Sequence, residues 1–308
     1  MHITLAPMEG VVDHLMRDML TRIGGYDLCV TEFVRIVDQL LPPKVFYRLC
    51  PELKQQGLTS AGTPVRVQLL GQDPGYLAEN AVRAVSLGSH GVDLNFGCPA
   101  KTVNKSKGGA VLLKETRSLY AIVSAVRSAV DKQHMVTAKM RLGFEDKALA
   151  IDNALALEAA GADLITVHAR TKAEGYKPPA YWDWIARIRE QVSVPVVANG
   201  EIWSRADALA CQQQSLCEDI MLGRGALALP NLAQVIRGAS PMGWDEVKVL
   251  LVNYSGYEIY GDKGRYYPNR IKQWLGYLKR QYSEAHQLFE QIRTLKTAGE
   301  ILPCLTQR

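Results

Sequence analysis

No apolar run in the 308 residues is long enough to span a bilayer, and the N-terminus lacks the basic-then-apolar pattern of a secretion signal. Cysteine is scarce. Residues 29, 50, 98, 211, 217 and 304 are scattered and form no CxxC pair, which argues against a disulfide framework and suggests no metal site. Reduced thiols in a cytoplasmic protein are the expectation. There is no low-complexity segment, and no repeat beyond an alternation of strand-like and helix-like stretches. Net charge is small, +5 with a pI near 8.8, and supports a nucleic-acid partner only weakly. A GxGxxG turn after the first apolar run is missing too, which disfavours a doubly wound dinucleotide-binding sheet.

What is present is a succession of short β-prone runs. Ile3–Pro7, Leu28–Glu32, Val65–Leu70, Gly91–Asn95, Val136–Arg141, Leu164–His168, Val194–Ala198 and Asp219–Leu222 read as strands. Helical patterns such as Val11–Ile23, Tyr76–Leu87, Leu119–Val130, Ala148–Ala160 and Trp182–Gln191 lie between most of them. Eight such units over roughly 235 residues match the α/β class of (β/α)8 TIM barrel, whose usual size is about 250 residues. Barrels place their chemistry at the C-terminal ends of strands. Those ends carry Ala6-Pro7-Met8, Gln68, Asn95 with Cys98, Lys139 with Arg141, His168 with Arg170, Asn199-Gly200-Glu201 and Gly223-Arg224-Gly225. Singly, each has a structural reading: a loop-capping amide, an ion-paired lysine, a core histidine, a turn. Their shared position at successive strand ends predicts a site. Loops after strands seven and eight commonly cradle phosphate, and the glycines and Arg224 suit that.

The stretch Val92–Leu113 organises the rest. Its strand breaks at Gly97-Cys98-Pro99, where glycine permits a turn and proline fixes φ, so Cys98 sits on a rigid turn at a strand mouth. From Lys101 to Arg117 there are five basic residues against the single acid Glu115, and such charge beside a thiol favours the thiolate. Arg237–Pro241 is a boundary that divides a barrel, residues 1–238, from a helical region, residues 241–308. That region reads as Trp244–Tyr260, a turn at Gly261–Gly264, Pro268–Tyr282, and Ser283–Leu295 with Ser283 as N-cap. It holds ten basic and seven acidic residues. Arg270, Lys272, Trp274, Tyr277, Lys279 and Arg280 interleave cations with aromatics, as phosphate contact and base stacking require. The alternative puts Trp274 and Tyr277 in a helical core with the cations outside.

In this order the strand ends resemble the tRNA-dihydrouridine synthase family. The matching pieces are Leu5–Gly10, Val67–Leu69, Asp93–Pro99, Gly108–Ala110, Lys139–Gly143, Val167–Thr171, Ala198–Ile202 and Met221–Gly225. Thr31–Arg35, Gly175-Tyr176, Arg270–Trp274 and Tyr277 are most similar to the bacterial synthase C type. The resemblance implies tightly bound FMN, held by Pro7, Met8, Glu9, Gln68, Lys139, Asn199, Gly200, Glu201, Gly223 and Arg224 with His168 beside it. It implies NADPH as reductant, Cys98 as the acid that protonates C5 of a uracil, and therefore a thiol there in place of a thiolate. Arg35, Asn95, Tyr176, Arg270, Lys272 and Tyr277 would contact or orient tRNA, with no membrane or metal partner and a monomeric chain. The reaction expected is reduction of a D-loop uridine, at position 16, to 5,6-dihydrouridine. A small-molecule FMN barrel oxidoreductase of the dihydroorotate or dihydropyrimidine kind shares the flavin rim but gives the basic helical region no purpose. An RNA-binding barrel without catalysis leaves Cys98, Lys139 and His168 unused.

Overall fold

A computed structural model describes residues 1–260 and 264–306. Eight parallel strands close on themselves in chain order: β1 (Ile3–Leu5), β2 (Leu28–Arg35), β3 (Val65–Leu70), β4 (Val92–Phe96), β5 (Val136–Arg141), β6 (Leu164–His168), β7 (Val196–Asn199) and β8 (Ile220–Leu222). Pleating sends alternate side chains to opposite faces. Val65, Val67 and Leu69 of β3 and Val92, Leu94 and Phe96 of β4 join the large outer core against the surrounding helices. The intervening residues, Arg66, Gln68, Asp93 and Asn95, fall to the barrel interior. On the opposite side that interior is apolar, a small cluster of Ala6, Val30, Val197 and Met221. The two halves of the lumen therefore differ in polarity.

β2 departs from regular pairing. Its register against β3 shifts between Val30 and Phe33. In a regular strand neighbouring side chains face opposite ways, yet Glu32 and Phe33 both border the cavity at the C-terminal mouth. Thr31 Oγ1 accepts the backbone N–H of Gln68 at 3.1 Å across this irregularity.

Beyond the barrel, helices cover Trp244–Tyr260, Tyr267–Leu278, Ser283–Ile292 and Ala298–Thr306. Residues 261–263 of the expected turn lie outside the described residues. The last helix was not expected, and the Ser283 cap is corrected. Tyr282 occupies the cap position without a side-chain bond, and Ser283 Oγ donates to Glu284 Oε2. Trp274 belongs to the core. It is 2% exposed, meets Tyr254 edge-on at 5.1 Å, and donates Nε1–H to Leu227 O at 3.2 Å. Among the described residues no helix is long and apolar enough to cross a membrane.

Candidate active site

The strand ends converge on one cavity of about 670 Å³ at the C-terminal mouth. Every residue that the resemblance assigned to a cofactor borders it: Pro7, Met8 and Glu9 after β1, Gln68 on β3, Lys139 on β5 and His168 on β6. Asn199, Gly200 and Glu201 after β7 and Gly223 with Arg224 after β8 complete that set. Cys98, Asn95, Tyr176 and Tyr277 border it as well, whereas Arg35, Arg270 and Lys272 do not.

The Cys98 turn is held differently from what its sequence suggests. Gly97 is not in the left-handed region, and a Cβ there would meet nothing nearer than Arg141 Cγ at 3.6 Å. The turn is instead gripped from outside. Asn95 Oδ1 accepts both Gly97 N–H and Cys98 N–H at 2.9 Å, and Arg141 Nε donates to Gly97 O at 2.8 Å. Cys98 O accepts from Asn104 Nδ2 and Ala110 N. The glycine that matters is Gly109. Its φ is +69°, and a Cβ would lie 2.9 Å from Cys98 O.

Electrostatics also correct the thiolate expectation. Lys101, Lys105 and Lys107 are exposed, and burial pushes the Cys98 thiol up, with Glu9 adding to it against a backbone bond from Ala100 and the charges of Arg141 and Arg35. Cys98 is thus a neutral thiol at pH 7. Lys139 is lowered to about 8, first by burial and then by Arg141. Among the described residues its ammonium has no hydrogen-bond or ion-pair partner. His168 falls well below its ordinary value through burial and the charges of Arg141 and Lys139, so its ring is neutral. Gly200, at φ +118°, lets the chain pass that ring; a Cβ would sit 2.8 Å from His168 Cδ2.

The loops after β7 and β8 press together because Gly225 has no Cβ, which would lie 2.0 Å from Ile202 O. Their charges meet at Glu201. Its carboxylate accepts from Arg170 Nη2, from Trp203 Nε1 at 2.8 Å and from Arg224 Nη2 at 3.2 Å. Burial alone would raise Glu201, but the bonds from Trp203 and Arg170 hold it below the ordinary carboxylate range. The Arg224 guanidinium lies between two rings, 5.0 Å from Tyr176 and 4.9 Å from Trp203. Arg280 covers the outer face of Trp203 at 3.8 Å. Trp203 was not among the predicted site residues, and Arg280 was expected only as a phosphate-contacting cation of the helical region, not at the cavity mouth. The first lies just past a strand end and was findable there; the second reaches the mouth from another element.

Of the residues expected to touch RNA, Arg35 donates to Ser106 Oγ at 2.6 Å and so sits beside the lysine loop. Lys272 donates to Leu295 O at 2.5 Å. Arg270 reaches the barrel, pairing with Asp13 Oδ2 at 2.7 Å while Nη1 donates to Gly10 O at 2.7 Å. Among the described residues no group of three or more His, Cys, Asp or Glu could hold a metal ion.

Residues 4–307 match the family model described as dihydrouridine synthase. The tRNA-dihydrouridine(16) synthase of Shewanella oneidensis is 59% identical over 308 residues, covering 100% of this chain and 98% of that protein. The protein of that name from Haemophilus influenzae is 54% identical over 303 residues, 98% of each chain. Among solved structures, the histamine dehydrogenase of Rhizobium sp. 4-9 shares the barrel with a TM-score of 0.57 at 17% identity, covering 77% of this chain and 45% of that one.

Proposed function

Since the chain belongs to the dihydrouridine synthase family, we propose that it reduces a D-loop uridine of tRNA, at position 16, to 5,6-dihydrouridine, as an FMN enzyme of the C type with NADPH as reductant. The observation that carries this reading is a neutral thiol and an ammonium with no hydrogen-bond partner among the described residues, facing one cavity from neighbouring strands, Cys98 after β4 and Lys139 on β5. The name shared by the relatives supports position 16.

The residues present fit a flavin. Ala6, Pro7 and Met8 offer an apolar wall, Gln68 and Asn199 offer amides, and Lys139 is a buried cation that lacks an acceptor. Gly223 and Arg224 would take the phosphate end, where the Arg224 charge is already aligned by Glu201 and two rings. Bound there, the flavin supplies hydride for C6 of the uracil. Cys98 supplies the proton for C5, from a turn with little freedom, which is what proximity and orientation demand. A uracil in folded tRNA must be extruded to reach such a cavity. Tyr176, Tyr277 and Asn95 line that cavity. The lysines at 101–107 and Arg280, its side chain 56% exposed, would hold phosphates around it.

Two measurements test the proposal. The purified protein should be yellow and should oxidise NADPH with tRNA as acceptor far faster than with free uridine. Mass mapping should place the new dihydrouridine at position 16, and equal turnover of free uridine would favour the small-molecule alternative.

Lys139 makes cofactor affinity depend on pH. A flavin accepting a bond from the ammonium stabilises its protonated form, so the bound pKa exceeds the free value of about 8. Below pH 8 both states are protonated and affinity is maximal. Above it the free enzyme loses the proton first, and affinity falls by up to about tenfold per pH unit, the equivalent of 1.36 kcal/mol. FMN fluorescence titrations between pH 6.5 and 9.5 should show this decline, and Lys139→Met should abolish it while weakening binding throughout. A wild-type curve flat across pH 8 would remove Lys139 from the contact.

A further inference from the structure

Below the cavity, a run of side-chain hydrogen bonds ends on one group. Asp93 faces the barrel interior from β4 and is 2% exposed. Its Oδ1 accepts from Thr137 Oγ1 at 2.6 Å and its Oδ2 from Gln68 Nε2 at 2.7 Å. Gln68 is fully buried, and its Oε1 accepts from Asn95 Nδ2 at 2.6 Å. Asn95 Oδ1 then accepts the two N–H groups of the Gly97-Cys98 turn. On the other side, Arg66 Nη1 donates to Thr137 Oγ1 at 3.4 Å.

Every bond in this run has the direction that its two ends jointly demand, the Asp93 carboxylate at one end and the two backbone N–H donors of the turn at the other. A primary amide has nearly the same shape after a 180° flip, which exchanges its donor and acceptor ends. An ionised carboxylate only accepts. Gln68 must therefore turn its NH2 to Asp93 and its carbonyl to Asn95. Asn95 must turn its NH2 to Gln68 and its carbonyl to the turn. With Gln68 reversed, Asn95 would present an NH2 to two backbone N–H donors, and the turn would have to move. Burial raises the Asp93 carboxyl on balance, against the bonds from Thr137 and Gln68 and the charges of Arg66 and Lys139, which favour the ionised form.

We propose that Asp93 is a positioning residue for Cys98, setting through the amide orientations of Gln68 and Asn95 the turn that carries the thiol. The proposal rests on the reading of Cys98 as proton donor. Its geometric content can nevertheless be tested apart from activity. Asp93 also borders a second cavity, of about 500 Å³, lined by Arg66 and Thr137, so a smaller side chain there opens onto that space and leaves no sealed void.

The test uses the flavin-loaded full chain with Asp93→Ser, Asp93→Leu and Asp93→Asn. Iodoacetamide labelling of each cysteine is followed by peptide mass, and amide exchange is followed in the peptide around 94–104. Serine can donate as well as accept and leucine does neither, so both free the Gln68 amide. Cys98 labelling and exchange at 97–98 should rise at least tenfold in these variants, while buried Cys29 and Cys211 stay protected as proof of folding. Turnover with saturating tRNA should fall at least tenfold. Asparagine keeps an acceptor for Gln68 if Thr137 turns its hydroxyl to Val92 O, 3.4 Å away, and should restore protection of Cys98. Unchanged Cys98 labelling in a folded serine or leucine variant overturns the proposal. So does failure of both to fold beside a sound Asp93→Asn, which would make Asp93 a scaffold acceptor only. Should labelling rise while Cys98→Ala remains fully active, the positioning stands and the proton-donor reading fails.

Discussion

Cys98→Ala is expected to keep its flavin and its oxidation of NADPH while dihydrouridine formation falls by about 10²–10⁴, the usual worth of a positioned proton transfer. The two half-reactions separate because Cys98 is set apart from the residues expected to hold the cofactor. It stands on the turn after β4, gripped by Asn95, Arg141 and the Gly109 crossing, while those residues occupy other strand ends. The variant should fold, since a half-buried thiol is removed and the bond lost with it is the one from the Ala100 backbone N–H. The pH dependence has a definite sign. The acid is active when protonated, and burial lifts the thiol above its ordinary value of 9.0. Tracked at constant flavin occupancy, tRNA reduction should therefore hold across neutral pH and decline only on the alkaline side, beyond the range of a free thiol. Cys98→Ser keeps a donor of much higher pKa and should fall between alanine and wild type. Near-normal dihydrouridine from Cys98→Ala, measured by mass spectrometry after a single turnover, would remove Cys98 from the chemistry.

The barrel is legible in the sequence because its information is local. Pleat alternation writes Val65-Arg66-Val67-Gln68 and Val92-Asp93-Leu94-Asn95 as outward and inward residues, and the C-terminal end of each strand follows directly. That is why the predicted cofactor residues reach one cavity. What escapes sequence reading is set by distance. Nothing near Gly97 tells that a side chain two residues earlier and a guanidinium on β5 hold the turn, with a glycine twelve positions on giving it room. Nor does a lysine-rich loop reveal that its ammonium groups point to solvent while burial decides the thiol. Arg280 illustrates the same limit. Its place over Trp203 depends on how a C-terminal helix lies across the barrel mouth, and no spacing encodes that.

Arg270 is the sharpest case, since its charge was read as RNA-facing and its partners lie 12 and 257 positions away. Its Nε donates to Glu258 Oε1 at 3.2 Å, and the same oxygen accepts from Tyr254 at 2.7 Å. Asp13 carries two duties: Oδ2 takes Arg270, while Oδ1 caps the helix His14–Ile23 through Met16 N at 3.2 Å. The side chains of Arg270, Asp13 and Glu258 are 13%, 5% and 0% exposed, so water cannot replace the guanidinium. Arg270→Ala takes the guanidinium donor from Asp13 Oδ2, Glu258 Oε1 and the Gly10 carbonyl. A cost of about 3–5 kcal/mol is expected, the range for stripping one partner from a buried pair. It should appear as a clearly lower melting temperature and faster amide exchange in residues 244–306 and around Asp13. Arg270→Lys should recover little, because an ammonium cannot serve the separate directions of the guanidinium fork. Weaker tRNA binding would follow from the displaced helices. Arg280→Gln supplies the contrast. Its side chain is 56% exposed and 3.9 Å from Glu201, so melting should barely move while the log–log salt slope of tRNA binding shallows by about 0.7–0.9, one counterion's worth. An Arg270→Ala protein that melts like wild type yet loses tRNA affinity and salt slope would return Arg270 to the RNA and take from it the fastening of helix to barrel.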